Sequence, residues 1–173
     1  MTERRAASRG AADLEANLVA AAESIRSAAA TRDPWLAELP VAGIGWATVE
    51  LDRAARELSG AGPFSPAARD ASLGASARRS PLRQSGSLEP AHPAIVLLEP
   101  DTEGLLAAAL ARFGEGVLAV YLGPLDRADV DDTPRLGPPR SGPLGPARLV
   151  IGRPAWGPHV FVLAGVAPRS RDE

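Results

Sequence analysis

IVLLEPDTEGLLAAALARFGEG, from Ile95 to Gly116, holds a strand, a stop, a helix and an exit in one run. Ile95 to Leu98 is apolar on both faces, the pattern of a strand covered on both sides. Pro100 ends it, and Asp101 or Thr102 is placed to cap the helix that follows. Leu105, Leu106, Leu110 and Phe113 recur at helical spacing and predict one apolar face. Gly114 supplies a left-handed stop, and Val117 to Leu122 reads as the next strand.

Working outward, residues 10–31 read as an amphipathic helix with Leu14, Leu18, Ala22, Ile25 and Ala29 on one stripe. Asp33-Pro34 ends it. Gly43 to Val49 is a strand apolar on both faces, and Glu50 to Ala54 opens a helix that stops near Gly60. Residues 61–71 are turn-rich, and a strand follows around Ser72 to Arg79. Residues 80–93 read as a loop with at most one short strand. Residues 123–147 hold too many prolines and glycines for a full helix, so an apolar groove left open there would point to dimerisation or strand exchange. Ala147 to Ile151 and His159 to Leu163 close the domain as two strands, and the last residues read as a frayed tail. WATVELDRA (46–54) and VYLGPLDRA (120–128) share a Leu-Asp-Arg-Ala ending after a strand, a faint repeat consistent with two modules.

Composition narrows the function. The 173 residues suit one domain with appendages or a duplicated small module. Aromatics reach only 4%, so the core must come from small and aliphatic side chains. A net charge of −2 argues against a nucleic-acid groove or an anionic-membrane surface. All 19 basic residues are arginine, which excludes lysine Schiff-base chemistry. With no cysteine there are no disulfides, thiol nucleophiles or zinc ribbons. The start lacks an apolar signal core and no stretch is long and apolar enough to span a bilayer, so a cytoplasmic protein is expected.

AGIGWATVELDRA (42–54), the run from Ile95 to Leu122, and RSGPLGPARLVIGRPAWGPHVFVLAG (140–165) together resemble the vicinal oxygen chelate, or glyoxalase-like, proteins. The methylmalonyl-CoA epimerase branch is the nearest in pattern. The resemblance implies an α+β fold of paired βαβββ modules, about 41–100 and 117–166, joined by a helix at 101–113. The second module has a degenerate helix; residues 1–40 form an N-terminal helical extension and 167–173 a tail.

The family holds a divalent metal on four strands. By resemblance those positions fall at Gly43, Val96, Ala119 and Val162, none of which has a donor atom. No metal and no cofactor is therefore expected. Alternation places Gly43, Gly45, Ala47, Val96, Leu98, Val117, Ala119, Tyr121, Val160 and Val162, with Ala164, on the cleft side. That lining either encloses an apolar ligand, with Tyr121 offering a directional hydrogen bond, or collapses into ordinary core. In the second case Trp46 and Phe161 are expected to face the covering helices as packing residues.

Other constellations favour bland readings. His92 and His159 each sit beside a proline, far apart in the chain. Glu99 and Glu115 flank the inter-module helix and suit capping or turn roles better than an acid–base pair. Asp129, Asp131 and Asp132 lack calcium-loop spacing, and there is no serine elbow or phosphate loop. The leading expectation is a metal-free binding or interaction module, resembling bleomycin-resistance proteins, that sequesters a small apolar or amphiphilic molecule. The alternatives are a relative of the epimerases, lyases and dioxygenases with relocated groups (Tyr121, Glu50 or Glu99), and a purely structural partner subunit. A homodimer or protein partner would dock through helix 10–31; nucleic acid and membrane are not expected partners.

Overall fold

The computed structural model describes residues 2–58, 63–70, 73–80, 93–125, 135–153 and 157–165, with side chains from residue 13 onward. Helix α1 spans Thr2–Ala30, and a short 3-10 turn, Pro34–Glu38, leads into strand β1, Val41–Ala47. Helix α2 (Leu51–Glu57) is followed by β2 (Ala68–Asp70), β3 (Ala75–Arg79) and β4 (Ala94–Pro100). Helix α3 (Leu105–Phe113) crosses to β5 (Gly116–Leu125), then β6 (Arg140–Gly142), β7 (Gly145–Leu149) and β8 (His159–Ala164). The class is α+β, as the sequence predicts.

One sheet takes the strands in the order β2-β3-β4-β1-β5-β8-β7-β6. β1 lies parallel to β4 and β5 parallel to β8, so each module sets its first strand beside its last. The modules join where β1 and β5 pair antiparallel. The sheet curls until its two ends, β2 and β6, come into contact.

That curvature sorts the side chains by size. On the inner face the strands crowd, and there stand Gly43, Gly45, Ala47, Ala75, Ala77, Ala119 and Ala147. A Cβ built on Gly45 would lie 2.6 Å from that of Ala119, its register partner. The outer face has room for Ile44, Trp46, Ile95, Leu97, Val120, Leu122, Val160 and Val162. The alanine-rich, aromatic-poor composition thus has a mechanical basis in this fold.

Two helices cover the outer face. α2 buries Leu51 and Ala54 over the first module. In the second module the described part of the β5–β6 connection, residues 135–139, contains no helix; residues 126–134 lie outside the described residues. α1 fills the place instead. It packs on β1, β5 and β8, burying Leu18, Ala22 and Ala29 with Leu14, Val19 and Ile25 beside them. The stripe expected to meet the domain or a partner is therefore seated on its own sheet, because the apolar outer face of β5 and β8 would otherwise meet water.

Four local expectations need correction. β2 forms inside the turn-rich stretch 61–71, and β6 inside the proline-rich stretch 123–147, each only three residues long. The cap of α3 is Gly104, with φ 129, not Asp101 or Thr102. Asp101 is drawn off by a paired hydrogen bond to Arg69 of β2. Lastly, α3 buries Leu106, Ala109 and Leu110, leaving Leu105 39% and Phe113 53% exposed.

Candidate functional site

The concave face gathers seven of the ten cleft candidates: Gly43, Gly45, Ala47, Val96, Leu98, Ala119 and Tyr121. Val117, Val160 and Val162 stand on the outer face instead. In β5 the register slips between the pairs Gly45–Ala119 and Trp46–Val117. The slip brings Leu118 into the inner cluster and turns Val117 outward. In β8 the parallel pairing of Val160 with Val120 sets the phase, so His159, Phe161 and Leu163 face inward. An all-apolar strand carries no alternation from which to read that phase. Phe161 stacks on Tyr121, ring centroids 5.2 Å apart, while Trp46 does pack on the helix side.

The inner face is filled. Tyr121, Phe161, Val96, Leu98 and Ala119 have no exposed surface. Leu144, from the β6–β7 turn, occupies the space that a side chain on Gly43 would need. The Tyr121 hydroxyl donates to Asp70 Oδ2 of β2 at 3.4 Å, a link across the curled sheet. Burial first, then the Asp70 charge, pushes the phenol well above its usual range, so it stays protonated. A divalent ion does not fit here. Gly43, Val96 and Ala119 offer no donor atoms, Phe161 and Leu163 stand where β8 faces inward, and Leu144 takes the space. Among the described residues no three His, Asp or Glu side chains converge as a metal set.

The carboxylates near the inter-module helix serve structure. Glu99 of β4 accepts the Leu51 N–H at 2.8 Å, at the opening of α2. Glu115 accepts the Val49 N–H and the Thr48 hydroxyl, both at 2.8 Å, and pairs with Arg53. The Val49 hydrogen bond, then Arg53, holds the Glu115 carboxyl below its usual range. Glu50 is exposed among Arg53 and Arg56. Arg78 of β3 is bound to Asp52 at 2.6 Å. His92, Asp129, Asp131 and Asp132 lie outside the described residues.

Open space lies at the second module's end of the concave side. A cavity of about 300 Å³ is lined by Leu105, Gly137, Pro138, Arg140, Ala147, Leu149 and Ile151. A second, of about 180 Å³, shares Leu105, Leu149 and Ile151 and continues to Arg153 and His159. The segment 135–137 builds one wall by running along the end of β7: Gly137 N–H donates to Leu149 and Ile151 N–H to Arg135. The exposed first residue of α3, Leu105, forms the other wall. Sequence reading raised an open apolar groove only as a condition on residues 123–147, and did not bring Leu105 and Ile151 to its walls. Their only signal was Leu149 and Ile151 on one side of a short strand, and nothing local says that this side stays open.

No family model matches the chain, and no curated protein matches it. Solved structures do. A methylmalonyl-CoA epimerase variant from Streptomyces coelicolor, in complex with 2-nitronate-propionyl-CoA, is 21% identical with a TM-score of 0.55, covering 73% of this chain and 97% of that one. A methylmalonyl-CoA epimerase in complex with methylmalonyl-CoA and NH4+ is 22% identical, TM-score 0.54, over 75% and 96% of the two chains. A hypothetical protein from Bacillus halodurans C-125 gives 18% identity and a TM-score of 0.54 over 75% and 96%. At these identities the likeness is one of fold.

Proposed function

On the divergent vicinal oxygen chelate fold that the chain shares with these structures, we propose a binding module for a small amphiphilic molecule. The adjoining cavities beside a filled barrel interior carry this reading: the ligand's place is the groove of Leu105, Leu149 and Ile151, not the junction of the modules. The larger falls at the lower end of small-molecule sites, roughly 300–1,000 Å³. The groove is apolar along its length with polar groups at its ends, as such sites are. Ile151 is 48% exposed, an apolar side chain left for something to cover. The carboxyl groups of Asp101 and Glu115 are held below their usual range by their arginine and backbone partners, away from what a general acid needs.

Fluorescence titration with N-phenyl-1-naphthylamine, an uncharged apolar dye, tests it. Saturable binding is expected, lost in Ile151→Trp, which fills the wall shared by both cavities, and unchanged in Tyr121→Phe. Absence of binding, or binding indifferent to Ile151→Trp, overturns the reading. Sedimentation of the same samples covers the rival occupant: a dimer that Ile151→Trp dissociates would assign the groove to a second copy.

A further inference from the structure

The smaller cavity ends on polar atoms that have no partner. His159 is 5% exposed, and its Nε2 is buried without a hydrogen bond. Arg153, on the same cavity, has its Nη1 in the same condition. A buried polar atom left unmet is destabilising, because it has given up water without gaining a partner. Two of them beside one cavity mark a place where a partner is missing.

Local charge says what kind. Arg153 is within electrostatic reach of Arg32 and Asp33, and Asp33 is already paired with Arg135 at 3.2 Å. Among the described residues, one carboxylate thus stands among three guanidinium groups. Burial, with Arg32, lowers the pKa of Arg153; burial, with Arg153, lowers that of His159. Both shifts are led by burial, with a smaller contribution from the neighbouring guanidinium. α3 also opens at this cavity, with no side chain capping its first amides, so its positive end adds to the field.

We propose that the groove takes an anionic amphiphile, a carboxylate held by Arg153 and His159 whose hydrocarbon chain lies along Leu105, Leu149 and Ile151. The inference rests on the binding reading and names its ligand class. A planar guanidinium matches a carboxylate with two parallel hydrogen bonds, and the apolar wall begins at the same point.

Calorimetric titration of the full chain with octanoate and with 1-octanol separates the two levels. The expected result is octanoate binding at least about tenfold tighter than octanol, an advantage that Arg153→Gln removes while octanol affinity stays. Equal affinities, or tighter octanol, in the unmutated protein overturn the anionic assignment and leave the binding module standing. Octanoate binding that survives Arg153→Gln undiminished places the carboxylate elsewhere and also overturns it. If neither compound binds, the binding reading falls and this inference with it. The comparison in the unmutated chain holds even if Arg153→Gln fails to fold.

Discussion

Glu115 ties the two modules together through one carboxylate, which receives Thr48 and Val49 from the turn between β1 and α2 and Arg53 from α2 itself. Its folded pKa is depressed below 4.5, so the stability it contributes is present above 4.5 and is lost as pH falls through the lower folded value. Glu115→Gln is expected to cost about 1 kcal/mol at neutral pH, a modest figure because the group is partly open to solvent. Urea unfolding across the acid range checks the sign: the two proteins should converge at low pH, and a gap that widens there would contradict the assignment. The sequence pointed at Glu115 and Glu99 as capping or turn residues, and both cap across the chain. It did not name the amides they receive, which lie 48 and 66 residues away.

At the scale of elements, α1 is the unusual part. The second module covers its outer face with a helix from the other end of the chain, where the first module uses the helix after its own first strand. Leu18 stands in that contact and Asn17, its neighbour, is exposed. Leu18→Ala is therefore expected to lose about 2–5 kcal/mol in urea unfolding, and Asn17→Ala to stay within about 0.5 kcal/mol. Equal effects would mean that α1 does not pack on β5 and β8. The stripe itself was legible from spacing, because helical periodicity is local. What the stripe meets was not, since a stripe fits a sheet and a partner alike.

Over the whole molecule, a curled sheet that closes on Gly43, Gly45, Ala119 and Leu144 packs the junction of the modules. No described donor set remains there to raise stability by binding an ion. Zinc, cobalt or manganese, added or chelated away, should leave the melting temperature within about 1 °C, whereas a ligand at 100 times its Kd would contribute about 2.7 kcal/mol. A melting shift of several degrees on adding one of these ions would show a donor set that the filled junction does not account for.

The amino-acid sequence by itself determined the segments: strand, stop and helix in residues 95–116, the broken stretch after β5, and the absence of donor side chains at Gly43, Val96 and Ala119. These follow from forces acting over a few residues, such as proline's fixed φ, helical spacing and side-chain chemistry. Only the tertiary structure decided which face Val117, Val160, Val162 and Phe161 take, since pairing with the neighbouring strand sets the phase of an all-apolar strand. It alone also left Leu105, Leu149 and Ile151 open and brought Arg153 beside His159. Those residues meet through packing between elements distant in the chain, and no local pattern records where that packing stops short.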